Sequence, residues 1–403
     1  MRRAWTYGWL CLTLAGCAGL LGIDEVAYSS ETNGSNPEGG TAEDGAPLFD
    51  GPGGDSPVSD GGGPCNADLA RDPENCGSCG HSCGAGVMCA DSLCVPELVL
   101  SGLSPPPSAL SRVAGATYVS SSHRVHRCAA TTCGADAGPP LYALELAGDY
   151  AITSFFADDA GMLLTALMFV GAGIPAGRID SCPLGPCPTP TVLAPSEINV
   201  QAVARTETDV LWARDADLFA RPQLVSCPGG SCGGVGDLLA TSMSGPGDVT
   251  SIAPRGASIL WMAGQRLLET KRAVGGATLL AVIASGNNVA PFARDVDHVY
   301  FGNFDTRSIE QCDISPTCQQ TRGSFVAAGG TVRAISVDGA FVYMVVDTPT
   351  DGGSQGFVGR APKGPSPKLE VLARSNPAVR AMALDATHLY WADQAGSVWR
   401  VRK

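Results

Sequence analysis

Cysteine is where this chain concentrates its capacity for chemistry: it has sixteen of them. Cys11 and Cys17 stand near the N-terminus. Six more follow at Cys65, Cys76, Cys79, Cys83, Cys89 and Cys94. The last eight form four short pairs, Cys128/Cys133, Cys182/Cys187, Cys227/Cys232 and Cys312/Cys318. Thiols serve as nucleophiles, metal ligands or disulfides, and their spacing separates these roles. Cys76-x-x-Cys79 has zinc-knuckle spacing, but a closed zinc site needs four ligands at one point. The short pairs lie far apart along the chain and are not expected to converge. Disulfides are therefore expected for all fourteen cysteines from Cys65 onward, each short loop contributing roughly 2 kcal/mol in the chain-entropy model. A catalytic thiol would leave an odd cysteine, and none is left over beyond Cys17.

The five histidines are the other residues with catalytic potential. His298 and His388 each precede an aromatic stretch in an equivalent setting, which points to a structural role. His123 and His126, two apart on an expected strand, share a face but lack an identifiable third metal ligand. His81 lies among the N-terminal cysteines. No Gly-x-Ser-x-Gly nucleophile elbow stands beside a plausible base and acid, and no phosphate-binding glycine loop precedes a helix. No catalytic residue and no cofactor follow from the sequence.

The N-terminus fixes the setting. Arg2 and Arg3 precede a short apolar run that ends in Leu14-Ala15-Gly16-Cys17, which reads as a secretory signal. That ending resembles the lipobox of bacterial lipoproteins. The resemblance implies removal of residues 1–16 and lipid, palmitate included, on Cys17. The even cysteine count in each later region suits an oxidising compartment beyond the inner membrane. The expected location is thus the cell envelope, at the outer membrane, with the N-terminal lipid as the membrane contact. The formal net charge is -13 before the two arginines are lost, which repels phosphate backbones and excludes nucleic acid as a partner.

Composition then divides the chain. Residues 29–64 carry seven carboxylates and no Lys or Arg, amid Gly, Pro and Ser. Such a stretch cannot bury enough apolar surface to offset chain entropy, so residues 17–64 read as a lipidated tether and disordered linker. Residues 65–95 hold six cysteines in about thirty positions, too few for a core without disulfides. Six cysteines allow fifteen connectivities, and the sequence does not choose among them. The run Asp72-Pro-Glu-Asn-Cys-Gly-Ser-Cys-Gly-His-Ser-Cys83 resembles small Cys-rich modules of myxobacterial lipoproteins.

Residues 96–403 repeat. Val379-Arg-Ala-Met-Ala-Leu-Asp385, His388-Leu-Tyr-Trp-Ala-Asp393 and Gly396-Ser-Val-Trp-Arg-Val401 form one row. Val332-Arg-Ala-Ile-Ser-Val-Asp338 and Phe341-Val-Tyr-Met-Val-Val-Asp347 begin the row before it. Weaker rows carry Ser258-Ile-Leu-Trp261, Asp209-Val-Leu-Trp212 and Thr117-Tyr-Val-Ser120. Seven rows of about 44 residues, each with several short alternating strands, predict an all-β, seven-bladed β-propeller. Degenerate rows near Phe155–Cys182 and Arg266–Ala284 leave six or eight blades as alternatives. The last row lacks its outer strand, and Glu97-Leu-Val-Leu-Ser101, similar to Leu369-Glu-Val-Leu-Ala373, is expected to supply it and close the ring.

The aromatic strands, above all Leu389-Tyr-Trp-Ala-Asp393, resemble YWTD-type and gluconolactonase-like propellers. The latter resemblance implies a divalent cation on the ring axis. Asn199, Asp248 and Asn288 would be its ligands here, but their rows lack the family motif and the metal site is not carried over. The expected function is non-catalytic binding or scaffolding of an envelope protein or polysaccharide by a monomeric propeller. The alternative is a lactonase-like hydrolase or lyase with an axial metal.

Overall fold

Seven four-stranded antiparallel sheets account for the seven rows. The structure is a computed structural model and describes residues 67–129, 133, 140–143, 150–168, 176–215, 221–230, 232, 236–242, 249–272, 276–282, 291–350, 353–375 and 378–403. Blades 1 to 6 span residues 109–143, 150–198, 202–241, 249–282, 292–327 and 331–375. Blade 7 takes three strands from 379–402 and its outermost strand, Glu97–Leu100, from the other end of the chain. Among the described residues, no helix is long and apolar enough to cross a membrane.

Each blade buries its two faces against its neighbours. Trp212 and Leu211 of blade 3 illustrate the rule: Trp212 packs with Ile179 and Val200 towards blade 2, Leu211 with Ile259 and Trp261 of blade 4. Alternation along the strand dictates this, because successive side chains leave opposite faces. Fully burying one such side chain is worth about 1.5–3 kcal/mol, and a lone blade could realise only half of it.

Glu97–Leu100 runs antiparallel to Val398–Arg402, with Glu97 opposite Arg400 and Leu100 opposite Val398. Arg400 donates to the Glu97 carboxylate at 2.6 Å. Just beyond, the Leu103 N–H donates to the Gly396 carbonyl. A side chain on Gly396 would collide with the Leu103 carbonyl oxygen, and the residue has φ +82°, so only glycine fits this crossing.

In four blades a disulfide ties the third strand to the connection that follows it: Cys128–Cys133, Cys182–Cys187, Cys227–Cys232 and Cys312–Cys318. The position of the first cysteine is occupied by Thr270 in blade 4 and Val401 in blade 7, which shows what else it can do. Thr270 accepts a hydrogen bond from the buried Trp261 indole N–H at 3.0 Å. The equivalent indole of Trp391 is equally buried, faces Val401, and its N–H has no protein partner. Leaving such a donor unmet costs about 1–3 kcal/mol. Val401→Thr, nearly the same size, is therefore expected to stabilise the protein by about 1 kcal/mol, read as a higher urea midpoint. A lower midpoint would show that the threonine hydroxyl does not reach the indole.

The cysteine-rich segment is pinned by Cys76–Cys89 and Cys83–Cys94. Cys79 is disulfide-bonded as well, and Cys65 lies outside the described residues. The segment does not stand apart from the propeller. Its disulfides join the apolar cluster of Leu372, Trp391 and Val401 at the outer side of blades 6 and 7. There His81 places Nδ1 3.3 Å from the Glu370 carboxylate, and burial lowers its pKa.

Candidate functional site

The turns joining first and second strands all lie on one face of the ring, and three of them share a local device. Asp295, Asp338 and Asp385 each sit three residues before the second strand. One carboxylate oxygen accepts the backbone N–H groups two and three residues on, at 2.8–3.0 Å. The other accepts the hydroxyl of the tyrosine five residues on: Tyr300, Tyr343 and Tyr390, at 3.2, 2.8 and 2.8 Å. The short side chain of aspartate suits this turn, because it reaches its own following backbone. His298 and His388 occupy the same place in their turns, each offering its main-chain N–H to the aspartate.

A cation from the next blade completes each arrangement. Lys363 reaches Asp295 at 2.7 Å, Lys403 reaches Asp338 at 2.8 Å, and Arg112 reaches Asp385 at 3.1 Å. Burial pushes the Asp295 carboxyl up, but Lys363 and the two backbone N–H groups outweigh it and hold the pKa at about 2. Burial, and then the neighbouring Asp295 charge, push the Tyr300 hydroxyl well above its ordinary value. These groups are locked ionised or locked neutral at physiological pH, the opposite of what acid–base catalysis requires.

Between blades 5 and 6 these turns border a groove of about 860 Å³. Arg294, Asp295, Val296 and His298 line one side; Val337, Asp338, Lys363 and Pro365 line the other. Val296 stands 72% exposed at its edge. His298 lies between two carboxylates, Nδ1 3.8 Å from Asp295 and Nε2 3.4 Å from Asp313. The groove is thus a trough of mixed charge with an aliphatic rim.

Of the residues singled out by resemblance, Asn199 alone is described, and it lies away from this groove. Asn199 follows the outer strand of blade 2 and donates its amide to Asp215 at 2.6 Å. Asp248 and Asn288 lie outside the described residues. His126 is buried, which together with Arg124 lowers its pKa. Among the described residues, Cys76, Cys83 and Cys94 are the sole grouping with metal-like spacing, and all three are in disulfides.

Neither a family profile nor a curated protein sequence matches this chain. Solved structures do match its fold. The WD40 β-propeller domain of Doa1 is 13% identical with a TM-score of 0.53, covering 77% of this chain and 97% of that one. The virginiamycin B lyase of Staphylococcus aureus, solved with quinupristin, is 10% identical with a TM-score of 0.51, covering 77% and 98%. Identities this low establish the propeller architecture and nothing about activity.

Proposed function

We propose that this chain is a lipid-anchored protein of the cell envelope whose propeller recognises a partner protein without transforming it. The observation that carries this reading is the groove between blades 5 and 6. It is a concavity of about 860 Å³, its Asp295 and Asp338 carboxylates are engaged in holding turns together, and its rim offers an exposed valine. Such a surface suits contact better than turnover. The anchor rests on Leu14-Ala15-Gly16-Cys17, and the acidic stretch up to residue 64 would hold the ring away from the bilayer.

The test uses the full chain expressed in envelope-bearing cells. A clickable palmitate analogue is expected to label the wild type and not Cys17→Ser. Photo-cross-linking is expected to yield a discrete partner whose capture falls at least tenfold in Val296→Asp. An unlabelled wild type would remove the anchor from the proposal. A partner set unchanged by Val296→Asp would remove the groove.

A further inference from the structure

Ion pairs knit most of the ring together, and of the two seams where none is found among the described residues, the one between blades 4 and 5 reverses a charge. Among the described residues, five seams are bridged by a cation of one blade and a carboxylate of the blade before it. These are Arg205 to Asp158, Arg272 to Asp209, Lys363 to Asp295, Lys403 to Asp338 and Arg112 to Asp385. Blade 4 puts Arg255 three residues before its second strand, at the position of Asp295, Asp338 and Asp385 in blades 5, 6 and 7. Blade 5 meets it with Arg294.

Among the described residues, both guanidiniums are held by main-chain carbonyls alone. Arg255 donates to the Val296 carbonyl at 2.9 Å. Arg294 donates to the carbonyls of Pro254 and Asp295, and its buried Nε–H has no protein partner. The adjacent Asp295 carboxylate is already committed to Lys363, Tyr300 and two backbone N–H groups. Burial, and then the charge of Arg255, lower the Arg294 pKa. Two partly desolvated like charges with no counter-ion of their own among the described residues cost free energy, and in a chain of net charge -13 a carboxylate could easily have been placed there.

We propose that the Arg255–Arg294 seam is a receptor for a carboxylate borne by an acidic, aliphatic peptide segment. The inference rests on the recognition reading above and names the chemistry of the partner. A carboxylate is the group that the equivalent position supplies internally in four other blades, Asp158 of blade 2 included, and guanidinium forks match it best. Val296, whose carbonyl Arg255 holds, lines the groove together with Arg294, so an aliphatic side chain next to the acid would fall on it and then run towards Val337 and Pro365. A sugar would find no exposed aromatic ring among the described lining residues, because Tyr300 is buried. Long polyanions are repelled by the chain's own charge.

The full-length protein would be screened against a positional library of amidated hexapeptides, and the selected peptide titrated by fluorescence anisotropy. Selection of Glu or Asp beside Val, Leu or Ile is expected, with affinity falling as salt rises. Arg255→Gln combined with Arg294→Gln should weaken the selected peptide at least tenfold, and replacing its Glu by Gln should then change nothing further. Arg255→Gln alone, which leaves the Arg294 bonds to Pro254 and Asp295 in place, guards against misfolding of the double variant. Selection without an acidic preference, but abolished by Val296→Asp, would overturn the carboxylate receptor while leaving the recognition reading intact. Competition by inorganic phosphate or polygalacturonate in place of peptide would overturn the peptide assignment. A protein that binds no library member defeats both.

Discussion

Val99→Asp is expected to cost at least about 4 kcal/mol, enough to open the ring. Val99 and Leu100 are 0% and 1% exposed, packed with Leu110 and Val119 of blade 1 and Tyr390, Ala392 and Val398 of blade 7. The cluster is therefore the joint between the two ends of the propeller, held by a strand that pairs across more than three hundred residues. A carboxylate there has no cation to meet inside the cluster, and burying it unpaired is the largest penalty a single side chain can impose. The strand has a second attachment, since the Cys133 N–H donates to the Val99 carbonyl at 2.7 Å. The same substitution at Val192, 44% exposed on the outermost strand of blade 2, is expected to change stability by less than about 0.5 kcal/mol. Urea unfolding followed by tryptophan fluorescence compares the two, with Trp391 and Trp399 reporting directly on blade 7. If Val99→Asp melts within 1 kcal/mol of the Val192 control, the closure strand is dispensable and the propeller is held shut by its other seams.

The closure was readable because it is a repeat relation. Glu97-Leu-Val-Leu-Ser101 resembles Leu369-Glu-Val-Leu-Ala373, and the latter does supply the outer strand of blade 6 within Glu370–Ser375. The blades were readable for the same reason: His388-Leu-Tyr-Trp-Ala-Asp393 and its counterparts recur in successive rows as an apolar, aromatic run, and these strands are buried on both faces without the alternation expected of half-buried ones. The groove was not, since Arg294 and Lys363 line it from two different blades, a juxtaposition that no local pattern announces. The docking of the cysteine-rich segment on Leu372 and Trp391 was equally hidden, because spacing between cysteines carries no information about what lies outside them. Arg255 was visible in principle. It is a basic residue where four rows write aspartate, but the signal emerges only when rows are aligned on the residue three before the second strand. Alignment on the aromatic strand directs attention to what the rows share, and a recognition site is better sought where one of them departs.

Asp385→Ala is expected to destabilise the protein by about 3 kcal/mol and to flatten its acid sensitivity. The carboxylate accepts from the N–H groups of Thr387 and His388, from the Tyr390 hydroxyl and from Arg112. Tyr390 is 1% exposed, and the Arg112 guanidinium stacks 4.5 Å from its ring centroid, so neither can turn to water once the acceptor is removed. Arg112 keeps its bonds to the Gly115 carbonyl and the Thr117 hydroxyl, which limits the loss. Asp385→Asn retains an acceptor for the turn N–H groups but sets its amide donors against Tyr390 and Arg112. It should fall between Ala and the wild type. Burial pushes the Asp385 carboxyl up, yet the N–H groups, the tyrosine and the arginine outweigh it and hold the pKa far below the carboxylate range. A carboxyl with a lower pKa in the folded state leaves the unfolded chain holding more protons on acidification. Its stabilisation is therefore complete above the ordinary value of 3.8 and is lost as pH falls towards the folded value. Asp295 and Asp338 act in the same direction, so the wild-type melting temperature should drop steeply below about pH 4. Calorimetry from pH 7 down to pH 2 should show a shallower acid limb in Asp385→Ala than in the wild type. Parallel limbs would mean that the carboxylate stays with the same donors in the unfolded chain, and the ring of turn aspartates would then be irrelevant to its acid stability.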